Sequence, residues 1–107
     1  MHLNEYQSAA MATCLDASKN VPYMALGLAG EAGEVANKAK KIIRDGAGTL
    51  TDARRQDIAD ELGDVLWYCA GVATVLGVSL EVIAHNNLAK LAARHDAGKI
   101  VGSGDHR

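Results

Sequence analysis

The sequence predicts an all-α fold, a bundle of four to five antiparallel helices with an oligomeric core. Apolar residues recur at helical spacing in four successive segments, and residues that start or end helices separate these segments. Apolar residues make up 49% of the chain, yet aromatic residues account for only 4% and phenylalanine is absent. Small aliphatic side chains suit closely packed helices, but a chain of 107 residues buries only a modest core. We therefore expect one helical domain that associates with further copies of itself.

The expected helices cover about residues 4–18, 22–44, 52–77 and 80–95. Asn4 and Gln7 resemble a capping pair at the start of the first helix. Pro22 suits the first turn of the second helix, and Gly46 can adopt the left-handed conformation that ends it. The third and fourth helices begin at capping residues, Thr51 or Asp52 and Ser79. We expect the helical domain to span residues 1–98, followed by a flexible tail over residues 99–107.

Three glycines recur every three residues inside the second helix: Gly27, Gly30 and Gly33. Each costs about 1 kcal/mol relative to alanine in a helix interior. Close approach of another helix or of a metal site is the simplest compensation. A phosphate-binding glycine loop is the rival explanation, and it is weak because no strand precedes the glycines and no Gly-Lys-Ser/Thr sequence follows them.

Two carboxylate pairs lie in apolar surroundings on the second and third helices: Glu31-Ala-Gly-Glu34 and Glu61-Leu-Gly-Asp64. Residues three apart on a helix share one face, with Cβ atoms about 5–6 Å apart, so two such helices packed together would converge four acids. Like charges at this distance need a cation, and oxygen ligands point to Mg²⁺, with Mn²⁺ as a possible substitute. Because Asp57 and Asp60 lie on the same helix, helical geometry alone does not decide which acids point inward.

These motifs resemble those of the MazG-like, all-α nucleoside triphosphate pyrophosphohydrolases. The resemblance covers roughly residues 3–98. Its motifs are Leu-Gly-Leu-Ala-Gly-Glu-Ala-Gly-Glu-Val (26–35), Glu-Leu-Gly-Asp-Val-Leu-Trp-Tyr (61–68) and Asn87-Leu-Ala-Lys90-Leu-Ala-Ala-Arg94. One departure concerns Gly30, because several relatives carry an additional acid at this position. The departure bears on how many metal ions bind.

The resemblance implies an enzyme that uses Mg²⁺ to hydrolyse a ribo- or deoxyribonucleoside triphosphate to the monophosphate and pyrophosphate, in house-cleaning or nucleotide-pool control. The metal ligands it implies are Glu31, Glu34, Glu61 and Asp64. Of these we expect Glu34 and Glu61 to be catalytic, with Glu34 as the carboxylate that takes a proton from water.

Four further residues are candidates for substrate binding. Asn87, Lys90 and Arg94 form one stripe on the fourth helix, and the resemblance gives this stripe phosphate and metal-water contacts. A solvated charged face is the alternative. Lys38 follows the first acid pair by one turn; it either touches a phosphate or only favours the helix C-terminus. Gln7, Trp67 and Tyr68 could contact the base, although packing is the plainer role for all three.

Similar enzymes act as dimers or dimers of dimers, so we expect a homodimer or homotetramer with a base pocket built partly by another subunit. A net charge of −2 argues against nucleic-acid or membrane binding, and we expect a cytoplasmic protein. Lys99 or Arg107 of the tail could close over a substrate. Two alternatives stay open: a sister enzyme acting on a phosphoribosyl nucleotide or a dUTP-like substrate, and a non-catalytic, metal-binding helical dimer.

Overall fold

A computed structural model describes residues 1–106; Arg107 lies outside the described residues. Within residues 1–106 the chain forms four α-helices, one short 3₁₀ turn and no strand, so the all-α prediction is confirmed. The helices are α1 (Leu3–Met11), α2 (Val21–Gly46), α3 (Asp52–Val75) and α4 (Leu80–Asp96). The 3₁₀ turn covers Asp16–Ser18. The starts of α2, α3 and α4 have side-chain caps. The side chains of Asn20, Thr51 and Ser79 each accept a hydrogen bond from the backbone amide three residues further on.

The end of α2 differs from the prediction by two residues. We expected the helix to end near residue 44, with Gly46 in the left-handed conformation. Instead Gly46 is still helical, and Ala47 takes the left-handed conformation with φ of 53°. The amide of Gly48 closes this end by donating to the Ile42 carbonyl at 3.1 Å.

The first helix is shorter than predicted, and its expected cap is wrong. α1 ends at Met11 because the Thr13 hydroxyl and the Thr13 amide both donate to the Ala10 carbonyl. His2 precedes the helix, and its backbone amide donates to Glu5 Oε1 at 3.3 Å. Asn4 and Gln7 do not cap α1; their side chains bond to residues at the start of α4.

Gln7 holds the turn between α3 and α4, which meet at a bend of 99°. Its Nε2 donates to Thr74 Oγ1 at 3.0 Å and to the Val78 carbonyl at 3.1 Å. Its Oε1 accepts from the Leu80 amide at 2.8 Å. Both Nε2 hydrogens and one lone pair of Oε1 are therefore used within the fold, which supports the packing role for Gln7.

α2 and α3 pack antiparallel in a register set by two glycines. Met24, which is fully buried, packs against Gly71, and the ring of Tyr68 lies over Gly27. A β-carbon at either glycine would overlap the facing side chain. The expected close approach is therefore found at Gly27, whereas it is wrong for Gly30 and Gly33, where an added β-carbon would have nothing within 4 Å.

A small core forms where α1 and α4 pack on the second half of α3. Its buried members are Ala10, Ala70, Ala73 and Leu80. The accessible surface of the chain is 7250 Å², whereas a folded monomer of this mass exposes about 5,700 Å². The radius of gyration is 16.6 Å, compared with about 13 Å for a compact domain of this length.

Among residues 1–106 no single helix has the length and hydropathy to cross a bilayer; α3 and α4 pass that test only as a bent pair.

We expect Gln7→Ala to lower the free energy of unfolding by about 2 kcal/mol, because the Leu80 amide and the Val78 carbonyl lose a partner in a partly buried turn. Urea denaturation followed by circular dichroism measures this change. Ser8→Ala, an exposed position on the same helix, is the matched control. Equal stability of the two variants would show that Gln7 does not hold the turn.

Candidate metal centre

The packing of α2 on α3 brings three carboxylates together. Glu31 of α2 and Glu61 and Asp64 of α3 each offer an oxygen, and these oxygens lie within 4.8 Å of one another. Glu31 and Glu61 are partly buried, whereas Asp64 is exposed. Oxygen ligands around Mg²⁺ lie about 3–4 Å apart when each is about 2.1 Å from the ion. Small side-chain rotations would bring the three oxygens to that spacing, and a donor set of oxygen alone suits a hard divalent cation.

The electrostatics of the cluster also favour a cation. The pKa of Glu31 is raised above its ordinary value, first by desolvation and then by the negative charges of Asp64 and Glu61. A hydrogen bond to Glu61 acts in the same direction, because only a protonated carboxyl can donate it. The fold therefore disfavours the ionised form of Glu31 when no positive charge is present, and a bound cation would reverse that preference.

Glu34, the fourth acid of the sequence motif, is not part of this three-carboxylate group. Its side chain is exposed, although its charge is among those that raise the pKa of Glu31. Glu34 therefore lies beside the cluster rather than within it. Its assignment as a ligand and as a catalytic residue stays a prediction.

An aromatic cleft adjoins the carboxylates. It has a volume of about 310 Å³ and is lined by Glu31, Asp64, Trp67 and Tyr68. The two rings meet edge to face, with centroids 5.0 Å apart and planes at 80°. Both residues therefore combine packing with a surface that a flat ligand could reach.

Three further residues shape this cleft. Thr13 Oγ1 accepts a hydrogen bond from Trp67 Nε1 at 3.0 Å, and Gly27 leaves the room that the Tyr68 ring fills. Tyr23 forms a hydrogen bond with Tyr68 and, after desolvation, is the next cause that raises the pKa of Tyr68. The sequence analysis missed Thr13 and Tyr23, because no spacing rule connects them to positions 45 or more residues away.

Lys38 lies in a second cavity further along the α2–α3 groove. This cavity has a volume of about 240 Å³, and its lining residues are Lys38, Lys41, Asp45, Arg54 and Asp57. Lys38 is two helical turns beyond Glu31, which is about 10 Å along the axis. Asp57 therefore faces lysines and an arginine, while Asp60 accepts a hydrogen bond from Gln56 at 2.7 Å. Neither aspartate belongs to the three-carboxylate group.

The candidate residues of α4 lie apart from the carboxylates in a single chain. Asn87 is exposed, whereas Lys90 and Arg94 bond to Asp105 of the tail. α4 leaves α3 at a bend of 99°. Asp64 and Lys90 each lie about 15 Å from that bend, which puts them roughly 20 Å apart within one chain. The carboxylates and the α4 cations line two separate cavities.

Comparison with known proteins matches the chain to the MazG nucleotide pyrophosphohydrolase domain over residues 20–98. This range includes α2, α3 and α4, and therefore the four candidate acids and the candidate phosphate-binding residues Lys38, Asn87, Lys90 and Arg94. The chain is also 46% identical to the Gene 37 protein of Mycobacterium phage L5, in an alignment that covers the whole of both proteins. No solved structure matches the chain.

We expect Glu31→Gln to raise the thermal midpoint of the metal-free protein at neutral pH, because it removes a charge that the fold disfavours. Folding raises the pKa of Glu31 above its ordinary value, so the parent should lose stability as pH rises through that raised pKa. The variant should lack this loss, together with the stabilisation that Mg²⁺ or Mn²⁺ gives the parent.

Thermal unfolding in chelator, Mg²⁺ and Mn²⁺ over a pH series checks both effects. Asp60→Asn, at an exposed position next to Glu61 in α3 but outside the cluster, is the matched control. A Glu31→Gln protein that is still stabilised by metal as strongly as the parent would contradict the assignment of Glu31 as a ligand.

Proposed function

Because the chain belongs to the MazG nucleotide pyrophosphohydrolase domain family, we propose that it hydrolyses ribo- or deoxyribonucleoside triphosphates to the monophosphate and pyrophosphate, using Mg²⁺. The observation that carries this proposal is the convergence of Glu31, Glu61 and Asp64 beside the aromatic cleft. A metal site and a surface for a flat ring lie next to each other, as hydrolysis of a nucleotide requires.

The carboxylates have distinct tasks in this reaction. Glu31, Glu61 and Asp64 hold the cation, which when bound neutralises phosphate oxygens and makes a water more acidic. Glu34 accepts a proton from the attacking water, since a carboxylate that is exposed and outside the three-residue group remains available as a base. This assignment agrees with the exposed position of Glu34 at the edge of the cluster.

The nucleotide itself contacts both ends of the groove. Trp67 or Tyr68 stacks on the base, because an aromatic face beside the metal site gives affinity for any flat ring. Lys38 lies two turns from Glu31 in a cavity with Lys41 and Arg54, and it donates to a phosphate oxygen. The base and sugar preferences follow from side chains that line the rest of the pocket.

A second copy of the chain completes the site in this proposal. A single chain exposes more area than a compact monomer by about 1,500 Å², and a standard interface covers about 800 Å² per partner. The exposed face of α3 carries an apolar groove of about 470 Å³, lined by Ala59, Leu62, Gly63, Val65, Leu66 and Cys69. A dimer, or a tetramer of two dimers, would cover this groove.

The same association brings the α4 cations to the carboxylates. Asn87, Lys90 and Arg94 lie too far from Glu31 to share a nucleotide with it in one chain. In the proposed dimer each copy's α4 lies beside the other copy's α3, so that its cations reach the phosphates bound by the partner. We place the enzyme in the cytoplasm, where it controls the nucleotide pool without binding nucleic acid.

We expect metal-dependent release of pyrophosphate, with the monophosphate as co-product, from at least one member of a panel of ribo- and deoxyribonucleoside triphosphates. Glu61→Gln should lower the rate by about a thousandfold or more, since loss of a metal ligand removes charge stabilisation in the transition state. Asp60→Asn should leave the rate unchanged. If folded, metal-loaded protein releases no pyrophosphate from any triphosphate of the panel, the triphosphate assignment is rejected. Phosphoribosyl nucleotides and dUTP analogues are then the substrates to test.

Mixing two inactive variants tests whether the site is shared between copies. Glu61→Gln and Lys90→Ala proteins, unfolded together and refolded as a mixture, should recover about a quarter of the parent activity, because half the dimers are mixed and each has one intact site. Size-exclusion chromatography with a tagged variant measures the fraction of mixed dimers. Mixed dimers without recovered activity would place the carboxylates and Lys90 of each active site in the same chain.

A further inference from the structure

The C-terminal tail folds back onto the cationic side chains of α4. Asp105 Oδ1 lies 2.9 Å from Lys90 Nζ and 3.3 Å from Arg94 Nη2. The Asp105 carbonyl accepts a further hydrogen bond from Arg94 Nη2 at 2.6 Å. The chain reverses just after α4, where Gly98 has φ of 67° and the Lys99 amide donates to the Arg94 carbonyl at 2.7 Å.

These contacts give the Asp105 carboxylate the position of a bound anion. Arg94 is only 8% exposed, so its guanidinium needs an acceptor close by. The hydrogen bonds from Lys90 and Arg94 hold the pKa of Asp105 below its usual range, so the carboxylate stays charged at neutral pH. A cavity of about 290 Å³ opens against the same side chains and has room for a larger anion.

We propose that Asp105 is an internal competitor for the anion site formed by Lys90 and Arg94, so that a phosphate-bearing ligand binds there only by displacing the tail. The ligand class rests on the proposed function, which gives these two cations to the phosphates of a nucleotide or of pyrophosphate. The competition itself rests on the contacts of Asp105 alone.

The tail is held weakly enough to be displaced. Asp105 is 72% exposed, and residues 97–106 form no helix. The Lys90–Asp105 ion pair is exposed on both sides, and exposed ion pairs contribute little to stability. Pyrophosphate carries several charged oxygens and can satisfy Lys90 and Arg94 together, whereas the tail offers one carboxylate and one carbonyl. An incoming phosphate group therefore replaces the tail without leaving the Arg94 guanidinium bare.

The test is the affinity of the full chain for inorganic pyrophosphate, measured by calorimetry in chelator so that the carboxylate cluster contributes no metal. Asp105→Asn should bind pyrophosphate about fivefold more tightly than the parent, because a competitor worth about 1 kcal/mol is weakened. Asp96→Asn removes the same charge from an exposed position of α4 outside these contacts and is the matched control. Equal or weaker binding by Asp105→Asn, or no binding by either protein, would overturn the proposal.

Hydrogen exchange of the unmodified protein gives a second readout that needs no variant. Saturating pyrophosphate should speed exchange of the amides in residues 99–106 by displacing the tail, and Lys90→Ala should remove this effect. Unchanged or slower exchange in the tail would reject displacement. Neither experiment measures nucleotide hydrolysis. If Asp105→Asn binds pyrophosphate more tightly but no triphosphate is hydrolysed, the proposed reaction is rejected and the competition by Asp105 still stands.

Discussion

The antiparallel packing of α2 on α3 determines where the functional groups of both helices lie. Met24 packs against Gly71, and the Tyr68 ring covers Gly27 one turn further along α2. The same register, continued for another turn, brings Glu31 beside Glu61 and Asp64. A slip of one turn would move the helices about 5.4 Å past each other and separate the carboxylates. Two glycine contacts at the apolar end of the groove therefore position charges that those contacts never touch.

Bringing the three carboxylates of Glu31, Glu61 and Asp64 together lowers the stability of the fold. The cluster raises the pKa of Glu31 through desolvation and through repulsion from Asp64 and Glu61, so its ionised form opposes folding. The buried contacts of Met24 and the helix caps offset this repulsion elsewhere in the chain. The charges of the three carboxylates repel one another as long as no cation neutralises them. The groove is therefore expected to be more stable with metal than without it.

Sequence reasoning succeeded where a feature depends on residues a few positions apart. The caps at Thr51 and Ser79 follow from local hydrogen bonding. Helical spacing puts Glu61 and Asp64 on one face of α3, but the family resemblance was needed to choose them over Asp57 and Asp60. It failed where a side chain's partner lies far away in the sequence. Asn4 and Gln7 have the spacing of a cap, yet their partners lie 67–77 positions away. Spacing places Glu34 near Glu31 but does not define how α2 is rotated against α3.

The bend after α3 also depends on contacts between residues far apart in the sequence. It separates the carboxylates of α2 and α3 from the cations of α4, which the motifs suggest belong together. Lys90 and Arg94 share a stripe with Asn87, but the 99° bend carries that stripe away from the carboxylates of the same chain. Arg94 is nevertheless buried, and its guanidinium is paired with the Asp105 carboxylate. Because the tail supplies that anion, Arg94 keeps its position and charge while no ligand is bound. On the proposed function, the anion site of α4 is therefore already formed before a phosphate reaches it, and the phosphate enters by displacing the tail.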